Sequence, residues 1–136
     1  MVEILVVDDD RPHTRVAEEC LTQSYSAVVT VVEDEDEALR VLSRADYHPH
    51  LILLELRNHA TPGQYLLRKI RRRKPKLPVV VWSTSRNTED VLQAYAEGAN
   101  MYAEKPSDLE QFRTTVHNIA QLWIKPFGSM KAAGAR

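Results

Sequence analysis

"LILLELRNH" (51–59) sets four consecutive aliphatic residues directly in front of a carboxylate, Glu55, with an arginine, Arg57, close behind. A strand that faces water on one side alternates apolar and polar residues. "LILL" does not, so its pattern places it between two covering layers. The same reading holds for "EILVV" (3–7), "VVTVV" (28–32) and "VVVW" (79–82). Strands buried on both faces belong to parallel sheets, because the crossover helices that parallel pairing requires are what cover them.

Working outward, segments of helical period separate these strands, at about 12–24, 35–45, 62–73 and 88–97, with a last one near 108–123. In the last, Leu109, Phe112, Val116, Ile119, Ala120 and Trp123 recur at steps of three and four and form one apolar stripe. Thr61 and Pro62 read as an N-cap and first helical residue, Asp108 or Ser107 can cap the final helix, and "EGAN" (97–100) supplies a glycine stop. A short fifth strand, "NMYAE" (100–104), fits between the last two helices. Five strand–helix units in alternation give an α/β doubly wound three-layer sandwich, for which the strand order 2-1-3-4-5 is expected.

The chain has 136 residues, a length that suits one domain. Its 43% hydrophobic and 27% charged content is ordinary globular usage. Eighteen Lys and Arg against nineteen Asp and Glu leave a formal charge of −1, so no whole-molecule field steers it to nucleic acid or an anionic membrane. No apolar run approaches the ~20 residues that span a bilayer, and "MVEILVVDD" is too short and too soon acidic for a signal peptide. A cytoplasmic location is expected. The single cysteine, Cys20, excludes an internal disulfide and reads as a small buried thiol on the first helix.

Ligands of such sheets sit outside the carboxyl ends of the strands. The residues expected there are Asp8, Asp9 and Asp10 after the first strand, Glu55 after the third, Ser83 and Thr84 after the fourth, and Lys105 and Pro106 after the fifth. Carboxylates at hydrogen-bonding distance repel unless a cation joins them. Mg²⁺, held by one or two carboxylates and completed by water or phosphate oxygens, relieves that repulsion, and Lys105 does part of the same work. A metal, an ammonium and a hydroxyl aimed at one point also suit the charge of a transferring phosphoryl group.

This ordered set resembles the receiver domain of two-component response regulators, over roughly residues 2 to 123, with 124–136 as a tail or the start of a linker. The resemblance rests on "ILVVDD" with Asp8 and Asp9, "LILLEL" at the phosphoacceptor strand, Gly63 eight residues after Glu55, "PVVVWS" with Ser83 at the switch hydroxyl, and "EGANMYAEKP" with Tyr102 and Lys105. It implies a CheY-like signalling module rather than a turnover enzyme, with Mg²⁺ as the only cofactor, held by Asp8, Asp9, the residue at position 55 and the backbone of Arg57. It also implies a protein partner, a sensor histidine kinase or a downstream effector, docking on the face made by the fourth helix, fifth strand and fifth helix. A homodimer stays open.

By position, however, Glu55 stands where receivers carry the phosphoaccepting aspartate, His59 where proline is usual and Thr84 where alanine is usual. One added methylene moves the carboxylate by ~1.5 Å, and misplacement by about 1 Å can cost ~10²-fold in a reaction that depends on alignment. Phosphorylation-independent partner binding is therefore the expectation, with a working acceptor on Glu55 and Mg²⁺ as its rival. Two mechanisms serve the first reading. Either Glu55 pairs with Lys105, hydrogen-bonds Ser83 and holds Tyr102 inward, a partial phosphate mimic, or the pocket is a relic. A flavin or nucleotide enzyme is disfavoured because no glycine-rich loop follows the first strand.

Other features have simpler readings. Asp10 caps the first helix, and the acidic run "EDEDE" (33–37) opens the second, where negative charge suits the macrodipole. The basic run "RKIRRRKPK" (68–76) closes the third helix. A contact with acidic protein or nucleic acid is its minority reading, and nucleic acid is not expected as the main partner. "YHPH" (47–50) with His59 lacks the spacing of a metal site. Trp123, Ile124 and Phe127 either finish the core or extend it as a sticky surface.

Overall fold

The computed structural model describes residues 1–56 and 63–125, apart from the side chains of Gly63 and Gln64. Five strands, β1 (Val2–Val7), β2 (Ala27–Val32), β3 (Leu51–Leu54), β4 (Val79–Ser83) and β5 (Met101–Glu104), alternate with five helices, α1 (Arg11–Ser24), α2 (Glu35–Leu42), α3 (Gly63–Arg73), α4 (Thr88–Ala96) and α5 (Leu109–Trp123). All pairings are parallel, in the order β2-β1-β3-β4-β5. This is the flavodoxin-like doubly wound α/β fold.

Successive strand residues point to opposite faces, and each face has its own core. Ile4, Val6, Leu51, Leu53, Val80 and Trp82 pack with Ala17, Leu21, Phe112, Val116 and Ile119 of α1 and α5. Leu5, Val7, Ile52, Leu54, Val79 and Val81 pack with Leu42, Leu66, Leu67, Ile70 and Ala94 of α2, α3 and α4. The three central strands are thus buried on both faces, as an uninterrupted aliphatic run requires. The second strand departs from expectation. It lies at the sheet edge, with Val32 its only fully buried residue and Val28 41% exposed, because it has one strand neighbour and partial cover.

Caps set the helix limits. Asp10, Asp34 and Asp108 accept the N–H groups of His13, Glu37 and Gln111, so Asp108 rather than Ser107 opens α5. The second helix stops at Leu42, three residues short of expectation, where the Ser43 hydroxyl donates to the Arg40 carbonyl. Gly98 adopts φ of +108° after α4, a conformation that favours glycine. Ile124 is fully buried in the core, and the half-buried Trp123 lends its indole N–H to Met101 Sδ. The Thr61–Pro62 cap, Arg57, His59 and Phe127 lie outside the described residues.

Candidate functional site

The hydrogen-bond ladder runs just past the strand ends and fixes the site. The Asp8 N–H donates to Val32 O, the Glu55 N–H to Val7 O and the Lys105 N–H to Ser83 O. Three of the expected site residues are therefore held on the carboxyl edge of the sheet by backbone hydrogen bonds.

Their side chains converge. Lys105 Nζ lies 2.5 Å from Asp8 Oδ2 and 3.1 Å from Glu55 Oε1, with side-chain exposures of 1%, 0% and 8% for the three residues. Nδ1 of His13 stands 3.2 Å from the same ammonium, and the Trp82 ring lies beneath it, 4.7 Å from Nζ to the ring centroid. Asp8 Oδ1 accepts the Asp10 N–H at 2.9 Å. Burial pushes the Asp8 carboxyl above its ordinary value, against the pull of Lys105 in the opposite direction. An ion cluster out of water is tolerable only when each charge has close partners, and here one cation serves two carboxylates.

Asp9 is half-buried beside this cluster. Ser83 is fully buried; its hydroxyl accepts the Ser85 N–H at 3.1 Å, and the bond to Glu55 expected from sequence is not formed. The Tyr102 hydroxyl donates to the Ser85 carbonyl at 2.9 Å, and Ser85 Oγ donates to Asp90 of α4. Ser83 and Tyr102 thus meet through Ser85, while Thr84 points to solvent.

His13, Trp82 and Ser85 are parts of the site that sequence reasoning missed. His13 carried one signal, its place three residues after the capping Asp10, whose Oδ2 lies 3.0 Å from its ring nitrogen. Trp82 precedes Ser83 and was legible only as a strand residue. His50 belongs to the fold instead, its Nδ1 accepting the Glu3 N–H at 3.0 Å.

Of the set expected to hold Mg²⁺, both Asp8 oxygens are engaged, by Lys105 and by the Asp10 N–H. Among the described residues no three His, Cys, Asp or Glu side chains group as a metal site. In this arrangement the Lys105 ammonium supplies the positive charge between Asp8 and Glu55, and Arg57, the backbone member of the expected set, lies outside the described residues.

Comparison with known proteins agrees with the geometry. The family model of the response regulator receiver domain matches residues 4–117. The response regulator Rcp1 of Synechocystis sp. is 29% identical over 130 residues, covering 90% of this chain and 88% of that protein. Among solved structures, the phosphorylated cyanobacterial phytochrome response regulator RcpA superposes with a TM-score of 0.87 at 29% identity, covering 96% of this chain and 99% of that one. The Mn²⁺-bound form of Rcp1 gives a TM-score of 0.85 at 28% identity, covering 97% and 100%. No helix among the described residues is long and apolar enough to cross a membrane. With five parallel strands in this order, an acidic and lysine-bearing cluster at their carboxyl edge and a family match over most of its length, the chain belongs to the response regulator receiver domain family of two-component signalling.

Proposed function

We propose that this receiver module signals by phosphorylation-independent protein–protein interaction, Glu55 standing in for the phosphoaccepting aspartate. The observation that carries the reading is the buried contact of Lys105 with Glu55 and Asp8. The cation that would otherwise neutralise an incoming phosphoryl group is already bound to two carboxylates. A Glu55 oxygen held in that pair is a poor nucleophile, and the added methylene displaces it from the position an aspartate would occupy.

The same contact supports a standing output state. Lys105 follows β5, whose Tyr102 hydroxyl is tied to the Ser85 carbonyl, and Ser85 in turn holds Asp90 at the start of α4. The face of α4, β5 and α5 offers Leu92, 63% exposed, and Tyr95, 48% exposed, as apolar contacts for a partner. A histidine kinase or a downstream effector is the partner class we assign to it, in the cytoplasm, with a second copy of the chain as the other occupant. No catalytic turnover is assigned.

The rival reading makes Glu55 a working acceptor. The similarity to RcpA, solved in a phosphorylated form, and to Rcp1, solved with Mn²⁺, favours it. It requires a divalent ion on Asp8, Asp9, Glu55 and the Arg57 backbone, with the Lys105 ammonium beside it. Intact-mass analysis of the wild type and Glu55→Asp after incubation with Mg²⁺ and a small acyl phosphate separates the two. Our reading expects a phosphate on the Glu55→Asp protein alone. A phosphate on Glu55 of the wild type overturns it; no phosphate on either protein marks a pocket that is a relic or needs its own kinase.

A further inference from the structure

Apart from the half-buried Lys74, the cations of the basic run from Arg68 to Lys76 divide, in the structure, into three kinds. Arg71 is a structural residue: Nε and Nη2 donate to the Gly98 carbonyl, Nη1 to the carbonyls of Lys74, Pro75 and Leu77, and Nη2 also to Asn100 Oδ1. Arg68 and Lys69 are pinned, by Glu97 at 2.7 Å and Glu35 at 2.9 Å. Arg72, Arg73 and Lys76 are exposed, and among the described residues no carboxylate pairs with them.

This third group lies along the end of α3 and the turn before β4, at the opposite edge of the sheet from the acidic cluster. A face that merely keeps a protein soluble mixes both signs. Within α3, Arg68 and Arg72, and Lys69 and Arg73, are like charges four apart in sequence. Like charges at that spacing disfavour a helix, and the helix dipole favours cations in its last turn only weakly once they stand in water. About two turns before Arg72, near the start of α3, Tyr65 is 47% exposed, with the Arg68 guanidinium over its ring, and it shares a surface groove with Glu35, Arg68, Lys69 and Arg72.

We propose that this face of α3 is a docking surface for an acidic segment of a partner protein, its carboxylates meeting Arg72, Arg73 and Lys76 and an apolar side chain seated on Tyr65. Charge complementarity selects the occupant. Nucleic acid fits less well, because Glu97 and Glu35 pair with Arg68 and Lys69 next along α3: a phosphodiester bears a negative charge at every step and would meet those carboxylates, whereas a peptide can place its acids selectively. The proposal does not depend on the reading of Glu55.

The test is fluorescence anisotropy with two labelled probes, a glutamate-rich peptide containing leucine and a duplex DNA of arbitrary sequence. The proteins are the wild type, Arg72→Glu/Arg73→Glu, and a control with the same change of charge elsewhere, Arg15→Glu/Arg40→Glu, each checked for folding by circular dichroism. The peptide is expected to bind the wild type and the control alike, to weaken with salt, and to lose about tenfold or more in affinity with the α3 variant. The proposal fails if the peptide does not bind, if the control loses as much as the α3 variant, or if DNA binds through Arg72 and Arg73 and the peptide does not.

Discussion

At the carboxyl edge of the sheet a lysine and two carboxylates are sealed between β1, β3 and β5, while at the opposite edge Arg72, Arg73 and Lys76 stand in water. The chain uses similar charges in both places and nearly cancels them in total. Enclosed charges interact strongly, escape salt screening and define a geometry; exposed ones are screened within about 8 Å at physiological salt and define a surface. The contrast assigns fixed conformation to one edge and adjustable recognition to the other.

The hardest test of the enclosed edge is Lys105→Met. Removing the ammonium leaves Asp8 and Glu55 buried and facing each other, and a loss of about 3–5 kcal/mol in denaturant unfolding is expected. If the ammonium stands in for a metal, millimolar Mg²⁺ restores part of that loss in the variant and adds little to the wild type. Equal stabilisation of both proteins by Mg²⁺ would break the comparison, since the ion would then have a place that Lys105 does not fill.

An intermediate effect belongs to Arg71, a basic-run residue that behaves like the enclosed edge. Arg71→Met strands the carbonyls of Gly98 and Leu77, and a loss of about 2–3 kcal/mol is expected, little changed by salt. Hydrogen exchange should open first in the turn from Gly98 to Asn100. Exchange that is unchanged there would show that the guanidinium is not what holds that turn.

The smallest effect is at Glu97, whose carboxyl the exposed Arg68 guanidinium holds below its ordinary value. A lowered acid stabilises the fold above its unfolded value of 4.5, and that contribution is lost as the pH falls through the folded value. The melting-temperature difference between wild type and Glu97→Gln should shrink as the pH falls below 4.5, and should also shrink at high salt at neutral pH. A salt-independent difference would place this pair with the enclosed charges.

Much of this was legible in the sequence because parallel strands write their burial as uninterrupted aliphatic runs, and "LILL" and "VVVW" sit in the sheet centre as those runs imply. "VVTVV" misled because an edge strand of the same composition has only one neighbour. Asp8, Glu55 and Lys105 could be placed from topology, since strand ends converge on one edge. The Ser85 N–H that Ser83 accepts could not, because it is set by the local backbone of the turn after β4. Nor could Arg71 be told from its neighbours, for its role depends on where carbonyls 27 residues further on come to lie.

The indole beneath Lys105 gives the protein an optical reporter of its own. Trp82 is one of only two tryptophans, and it is fully buried with a cation over its ring. An ammonium so placed biases the emission energy of an indole, so any event that lifts Lys105 from Asp8 and Glu55, whether partner binding, metal entry or a change at position 55, will register as a shift in fluorescence without an added label.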